Sequence, residues 1–363
     1  MSDASSFSPD YVAARARFRS SAMALDCRLD AYAIDAKGPQ GEELTIDFAV
    51  FGQPDPRRVV IVSSGLHGVE GYLGSAVQAA LLEERLGGFI PPNDTALVLI
   101  HGLNPYGFAW TRRVNEDNAD LNRNFLLPGE EYRGAPEKYA LLDPLLNPPS
   151  PPMSLEPFLI KAVWNIARHG LPALKDAVAG GQFEFPRGLF FGGSGPSATM
   201  KVLDQVLPTL VGQADRVIHV DFHTGLGKSG EYKLLVDRAA GTPEAAWLAQ
   251  RFGADRVQPW SSDGVSYKIR GGMGAWLQHR FPRASYDVLT AEFGTYGILR
   301  IIGSLRTENQ AHQWGGMKDP ATERAKRKLR EAFSPSDSAW RQKTVDLGLK
   351  LVEQAIEAGM LTA

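Results

Sequence analysis

A histidine and a glutamate stand three residues apart in the stretch Ser63-Ser64-Gly65-Leu66-His67-Gly68-Val69-Glu70-Gly71. Imidazole nitrogen and carboxylate oxygen are both good zinc ligands, and a catalytic zinc often has two histidines, one glutamate and a water. The glycines on either side allow a tight backbone turn and let a ligand come close. The same spacing also occurs in polar turns that only meet solvent. The stretch therefore predicts a metal site only if the rest of the chain supplies the missing groups.

The residues around this turn predict the elements that position it. Val59 to Val62 is an apolar, β-branched run typical of a buried strand, and Tyr72 to Leu86 has apolar residues at helical spacing. Thr95 to Ile100 is another short apolar run. Strand, helix and strand in this order predict a parallel crossover unit. We therefore expect an α/β fold with a mixed, mostly parallel twisted sheet and helices on both faces.

Later segments add strands to this sheet and bring further polar groups. The predicted strands are Glu43 to Phe51, Arg216 to Phe222, Glu231 to Val236 and Tyr286 to Phe293. Alternation along a strand places His219, Asp221 and His223 on one face. Glu292 lies at the end of an otherwise apolar strand, where a carboxylate is costly unless it is paired or functional. These groups are candidates for the same site as His67 and Glu70.

Two segments between the strands are irregular. Asn104 to Phe125 is a loop rich in arginine and asparagine, which is either a solvated connection or a surface that recognises anions, since arginine matches carboxylates. The segment near 126–157 is rich in proline, which we expect to exclude a regular helix or central strand there. We interpret it as a surface insertion in a single domain that spans residues 1–363.

Composition narrows the class of protein. With 44% hydrophobic and 22% charged residues, the 363-residue chain is ordinary for a globular protein, and a net charge of −2 makes nucleic acid an unexpected partner. Cys27 is the only cysteine, which excludes an intramolecular disulfide and a cysteine-rich zinc site. Residues 1–22 lack a signal-peptide pattern, and no apolar run reaches the ~18 residues of a membrane span. We therefore expect a cytoplasmic location and no membrane partner.

The order of the polar motifs is more specific than any one of them. It reads His67-x-x-Glu70, Arg113, Asn122-Arg123, His223, Tyr267 and Glu292. This order resembles the zinc carboxypeptidase family, the carboxypeptidase A-like metallopeptidases, and a poorly characterised bacterial branch of it. The resemblance extends from about Val59 to Gly294. It implies a carboxypeptidase-like fold and one Zn²⁺ per chain.

The resemblance implies the composition of the metal site. His67, Glu70 and His223 match the three zinc ligands of the family. Asp120 matches the carboxylate that hydrogen-bonds a zinc-bound histidine, and such a partner fixes the tautomer of the ring. The residues themselves leave Asp221 and His219 open as alternative ligands, because both share a face with His223.

The resemblance also implies roles in catalysis and substrate binding. Glu292 matches the general base, and Arg113 matches the arginine that stabilises the developing oxyanion. Asn122 and Arg123 match the pair that holds the terminal carboxylate of the substrate. Tyr267 matches the tyrosine that closes over the substrate, although a tyrosine in a loop is as often a packing residue.

Two further positions bear on these roles. Arg112 could exchange roles with its neighbour Arg113, since the loop around them is irregular. The family position that helps to set side-chain preference falls on Gly274, which leaves that preference open.

The resemblance thus implies a zinc-dependent hydrolase of amide bonds that acts on small peptides with a free carboxylate. An alternative is a deacylase of N-acyl amino acids, similar to the aspartoacylase and succinylglutamate desuccinylase branch. The short Asp221-x-His223 motif is typical of that branch. A third possibility is a binding protein that has kept the fold without catalysis. The complete set of ligands together with Glu292 counts against it.

Overall fold

The computed structural model describes residues 6–153, 180–260 and 270–360, together with residues 158, 160, 161 and 164. Its eight strands are β1 (Arg28–Lys37), β2 (Glu43–Gly52), β3 (Arg58–Ser64), β4 (Thr95–His101), β5 (Arg216–Ser229), β6 (Tyr232–Ala239), β7 (Val257–Trp260) and β8 (Ser285–Gly294). They form one sheet in the order β1-β2-β4-β3-β5-β8-β6-β7. Strands β4, β3, β5 and β8 are parallel, while β2 and β6 attach to them antiparallel. The predicted mixed, mostly parallel sheet is confirmed.

Helices cover both faces of this sheet. They are α1 (Tyr11–Met23), α2 (Gly71–Glu84), α3 (Pro105–Ala109), α4 (Tyr139–Leu146), α5 (Ala198–Val211), α6 (Pro243–Phe252), α7 (Met273–Arg280), α8 (Ile298–Trp314), α9 (Pro320–Phe333) and α10 (Ser338–Met360). Helices α1, α2, α6 and α10 share one apolar core with the sheet, and α5 and α7 share a second core on its other face. No helix in the described part of the chain is long and apolar enough to cross a membrane.

The predicted crossover from β3 through α2 to β4 is present, and it brings helix and sheet unusually close. All residues of β3 after Arg58 are buried, as expected for a central parallel strand covered on both faces. A Cβ atom on Gly74 of α2 would lie 2.5 Å from the Cβ atom of Ser64 and 3.0 Å from that of Phe222. Only a glycine therefore allows α2 to rest at this height above β3 and β5.

The proline-rich segment departs from its prediction. Helix α4 forms within it despite Pro144, so the expectation that the prolines exclude a helix was wrong. The helix has only eight residues, and Tyr139, Leu142 and Leu146 pack with Ile302 of α8. This burial compensates for the single backbone hydrogen bond that proline removes. Residues 154–157 lie outside the described residues, and the single domain and its surface insertion stay predictions.

The contact of α2 with the sheet yields a test of the fold. In Gly74→Ala the methyl group gains up to about 1 kcal/mol of helix propensity. Overpacking typically costs about 1–3 kcal/mol, and here it also strains the Ser64 backbone, whose Cα atom would lie 3.2 Å from the new Cβ. We expect a lower urea midpoint with an unchanged slope.

The matched control is Gly87→Ala, since a Cβ there would have no atom within 4 Å. This control should unfold like the parent protein. Equal midpoints for both variants would contradict the close packing of α2.

Candidate active site

The polar residues singled out from the sequence meet at one edge of the sheet. His67 and Glu70 follow the carboxyl end of β3, Glu292 lies near the carboxyl end of β8, and His223 lies inside β5 at the level of Glu292. His223 and Glu292 are partners in the parallel register of these two strands, so their side chains share a face. Ligand sites of open α/β sheets form at this edge, outside the carboxyl ends of the strands.

Three of these side chains converge on one point. The Nδ1 atom of His67 lies 2.9 Å from Oε1 of Glu70, and the Nδ1 atom of His223 lies 3.2 Å from Oε2 of the same carboxylate. One ligand atom from each residue lies within 4.8 Å of the others, and all three side chains are buried. Two imidazoles and a carboxylate in this arrangement match the donor set of a catalytic zinc site.

A second carboxylate orients each histidine from behind. The Nε2 atom of His67 lies 3.0 Å from Oδ1 of Asp120, and the Nε2 atom of His223 lies 2.6 Å from Oδ2 of Asp221. When Nε2–H donates to these carboxylates, each Nδ1 atom keeps its lone pair for a metal. The Nδ1 atom of His67 is buried and has no hydrogen bond, although Glu70 is near. The residues present therefore fit a metal ion.

Asp221 is held in turn by a buried chain of hydrogen bonds. Ser63 donates its hydroxyl to Oδ1 of Asp221 at 2.5 Å, and its Oγ atom lies 2.7 Å from Nε2 of His219. Since Ser63 has one hydroxyl proton, His219 must donate to it, and Nδ1 of His219 then accepts from Tyr286 at 3.2 Å. These contacts occupy both residues that the sequence left as alternative ligands. Ser63 was missed in the sequence because its partner lies 158 positions away.

The two adjacent arginines face different surroundings. Arg113 donates through NH1 to Oε1 of Glu70 at 2.9 Å and through Nε to Oδ2 of Asp120 at 3.0 Å. Arg112 is buried on the other side of the loop, where its Nε atom lies 3.1 Å from Oε1 of Glu308. The structure therefore brings Arg113, and not Arg112, to the candidate site.

Protonation follows from these contacts. Burial raises the pKa of Glu70, but the adjacent side chains of His67, His223 and Arg113 outweigh it and hold the pKa well below its usual range. The pKa of Asp120 is also well below its usual range, because the charges of Arg113 and His67 outweigh the effect of burial. Burial lowers the pKa of His223, but the charge of Asp221 and its hydrogen bond raise it well above the usual value. Glu70 and Asp120 are thus ionised near neutral pH.

Glu292 is the carboxylate whose pKa moves in the opposite direction. Burial and the negative charge of Glu70 both raise its pKa. Its Oε1 atom accepts a hydrogen bond from the backbone N–H of Leu226 at 2.8 Å, which fixes the side chain beside the cluster. A carboxyl group with a raised pKa is suited to exchanging protons near neutral pH.

Asn122 and Arg123 lie in a helical turn across the cavity. The side-chain oxygen of Asn122 accepts from the backbone N–H of Met273 at 3.3 Å, and NH1 of Arg123 donates to the carbonyl of Asn122 at 2.8 Å. Gly271 has φ +70°, and a Cβ there would lie 2.1 Å from the carbonyl oxygen of Arg123. Glycine is therefore required where this loop crosses the turn. Tyr267 lies outside the described residues, so its predicted role stays a prediction.

These residues line one cavity of about 200 Å³. One wall is apolar and is formed by Phe190, Ile298, Ile301, Leu305 and Phe333. Residues of β6, β8 and the start of α7 also line the cavity, among them Asp237 and Gly274.

Solved structures similar to this chain include carboxypeptidases. Carboxypeptidase A from Helicoverpa armigera is 13% identical, with a TM-score of 0.46, over 87% of this chain and 73% of that chain. Bovine thrombin-activatable fibrinolysis inhibitor, solved with tick carboxypeptidase inhibitor, is 10% identical, with a TM-score of 0.46. The match covers 95% of this chain and 98% of that chain. A candidate succinylglutamate desuccinylase/aspartoacylase from Shewanella frigidimarina is 15% identical, with a TM-score of 0.37, over 73% and 64%.

Sequence comparison places the chain in a family without an assigned activity. No curated protein sequence matches the chain at a significant level. The family model described as "Protein of unknown function (DUF2817)" matches residues 7–347. The match covers nearly the whole chain, so the protein belongs to the DUF2817 family.

Proposed function

We propose that this protein is a zinc-dependent hydrolase of amide bonds, a carboxypeptidase-like metallopeptidase that acts on small peptides with a free carboxylate. The observation that carries the proposal is the pair of Nδ1 atoms facing Glu70, each presented by a ring whose Nε2 atom is held by a buried aspartate. A structural histidine pair has no need of this arrangement on both rings. His67, Glu70 and His223 would hold the metal.

A zinc ion in this position would act as a Lewis acid toward the scissile carbonyl and lower the pKa of water to about 7. Glu292 supports the proton transfers, because its raised pKa lets it take a proton from water and return it to the leaving amine. The Leu226 N–H holds one carboxylate oxygen in place during this exchange.

Two arginines complete the proposed site. Arg113 is partly exposed to the cavity and carries its charge beside Glu70, where it would stabilise negative charge developing on the substrate oxygen. Arg123 lines the same cavity together with Asn122, and a guanidinium beside a side-chain amide is suited to a free carboxylate. We assign Arg123 and Asn122 to binding of the free carboxylate of the substrate.

The size of the cavity supports a small substrate. Pockets that enclose drug-sized molecules usually measure about 300–1,000 Å³. The cavity here is about 200 Å³, which is below this range.

The second candidate is a zinc-dependent deacylase of N-acyl amino acids. The apolar wall of α8 and α9 favours it, because Ile301, Leu305 and Phe333 could receive an acyl chain instead of a peptide side chain. Both candidates place a free carboxylate at Arg123 and an amide at the cluster, and they differ only in what lies on the other side of that amide.

A substrate panel tests the proposal. Dipeptides, their C-terminally amidated forms and N-acyl amino acids are incubated with the zinc-supplemented protein, and released amino acid is measured. We expect hydrolysis of the free-carboxylate forms and at least a tenfold lower kcat/KM for the amidated forms, since the pairing with Arg123 is lost. Cleavage only of N-acyl amino acids would select the deacylase. Equal cleavage of free and amidated forms would overturn carboxylate recognition, and no hydrolysis at all would overturn the proposed function.

Glu292 supplies a separate prediction. Glu292→Gln keeps the shape of the side chain but cannot take a proton. Turnover should fall by a factor on the order of 10² to 10⁴, the usual contribution of general acid–base catalysis, while bound zinc stays at the parent level.

Both quantities are measured on one preparation, with His279→Ala on the exposed end of α7 as a control for handling. Lost zinc would make Glu292 a ligand, and full zinc with normal turnover would place the base elsewhere.

A further inference from the structure

A second cavity lies at the opposite edge of the sheet from the candidate active site. It is formed where β3 and β5 begin, and residues of α6 and of the carboxyl end of α10 line its other sides. Its volume is about 740 Å³, within the range of about 300–1,000 Å³ that is usual for small-molecule sites. The side chains that line it include Arg57, Arg58, Arg216 and Arg251, and we call it the arginine cavity.

Strand pairing places two of these arginines side by side. Arg58 and Arg216 are partners in the parallel register of β3 and β5, two residues before the buried pair Val60 and Ile218. Residues two apart in a strand share a face, so both arginines extend toward the side on which Gly359 of α10 packs against that pair. Like charges at adjacent positions of paired strands are destabilising. The fold thus holds two guanidinium groups where each disfavours the other.

Helix α6 adds an aromatic ring and a third guanidinium group. The Cζ atom of Arg216 lies 4.0 Å from the ring centre of Trp247, and that of Arg251 lies 5.8 Å from the same ring. The Nη1 atom of Arg216 is nevertheless buried without a hydrogen-bond partner in the described part of the chain. A buried donor without an acceptor is costly, which indicates a position for an anionic ligand atom. We call Arg58, Arg216 and Arg251 the arginine cluster.

The carboxylates around the arginine cavity do not neutralise this cluster. Asp215 accepts from Nε of Arg57 at 2.8 Å, so these two charges balance each other. Asp94 and Glu357 are exposed, and neither forms an ion pair with the arginine cluster within the ranges that the structure describes. The carboxyl end of α10 adds about half a negative charge, which is less than one arginine carries. The cluster therefore keeps a surplus of positive charge that an anion can balance.

The donors of the arginine cluster match a phosphate group. Each guanidinium group presents N–H donors in a planar fork that pairs with two oxygens of a phosphate. A phosphomonoester carries about −1.5 to −2 charges near neutral pH and three strong acceptor oxygens, whereas a carboxylate has one charge and two oxygens. Phosphate can therefore satisfy more of the three side chains. The volume of the cavity also leaves room for a small molecule that carries the phosphate.

We propose that Arg58, Arg216 and Arg251 bind the phosphate group of a small ligand at the edge of the sheet opposite the candidate active site. The shared chemistry is a phosphate anion, whose source is either inorganic phosphate or a phosphomonoester. This binding is independent of the proposed hydrolysis, because none of these arginines lines the candidate active site.

Calorimetric titration of the full chain tests this binding. Inorganic phosphate, adenosine monophosphate and adenosine are each titrated at an ionic strength held constant with chloride. We expect both phosphate-bearing ligands to bind and adenosine not to bind. Arg58→Gln, Arg216→Gln and Arg251→Gln should each weaken the binding at least about tenfold, since each removes a charge-assisted pair. Tighter binding of adenosine monophosphate would identify a phosphomonoester as the source, and tighter binding of phosphate would identify the inorganic ion.

Two control variants separate the arginine cavity from arginines elsewhere. Arg280→Gln removes an exposed arginine that pairs with Asp204 outside the cavity, and it should bind phosphate like the parent protein. Arg123→Gln removes a positive charge from the candidate active site and should also keep this binding. Binding that is lost in Arg123→Gln but kept in the three cluster variants would place the anion at the active site and overturn the proposal. So would a parent protein that binds no phosphate, or that binds adenosine as tightly as adenosine monophosphate.

Stability separates ligand binding from a purely structural role of Arg58. In phosphate-free buffer the urea midpoint of Arg58→Gln should be no lower than that of the parent protein, because the change removes the repulsion with Arg216. Added phosphate should raise the midpoint of the parent protein more than that of the variant. A lowered midpoint of Arg58→Gln together with an unchanged affinity for phosphate would assign Arg58 to structure alone and overturn its place in the site.

Discussion

The balance of charge in one buried crevice is the constraint on which the site depends. The groups in contact there are the carboxylates of Glu70, Asp120 and Asp221, the guanidinium group of Arg113, and the imidazoles of His67 and His223. With neutral imidazoles, three ionised carboxylates and one guanidinium group leave a formal charge of −2. A bound dication would cancel it, which a buried site strongly favours. Without a metal, the raised pKa of His223 lets a proton supply part of the missing charge.

The sheet makes this concentration of charge possible because strand pairing fixes the backbone positions from which these side chains extend. Adjacent parallel strands hold Ser63 beside Asp221 and His223 beside Glu292 in register. The backbone N–H of Thr224 then donates to Oε2 of Glu70 at 2.9 Å, which ties the turn after β3 to β5. Small residues are needed where other segments come close to this frame, as Gly74 shows in α2. The arrangement of the site residues therefore depends on ordinary strand pairing and helix packing.

The sequence predicted the parts of the structure that local pattern controls. The apolar strands β3, β4, β5 and β8 follow from their residue types, and the turn with His67 follows from the strand before it and the helix after it. Strands β1 and β7 and the helices α3, α4, α5, α6 and α8 were not predicted. Strand β1 lies at the edge of the sheet, and most of its residues are exposed or partly buried. Its sequence therefore shows no clear alternation of apolar and polar residues.

The site was predicted to a similar extent. The order of motifs pointed to the residues that the structure brings together, although their roles stay predictions. Strand β5 continues to Ser229, so His223 lies inside the strand and not just beyond it as expected. The support that Ser63 gives to Asp221 was missed, because these residues are distant in sequence. Such contacts depend on strand register, which single-sequence patterns do not encode.

The most direct test of the central claim is the position of the metal. Crystals grown with zinc and measured at the zinc absorption edge should show one anomalous peak per chain. We expect it about 2.0–2.2 Å from Nδ1 of His67, Nδ1 of His223 and the carboxylate of Glu70, with both Nε2 atoms still on their aspartates. No peak at saturating zinc, or a peak bound instead by Asp221 or His219, would contradict the account.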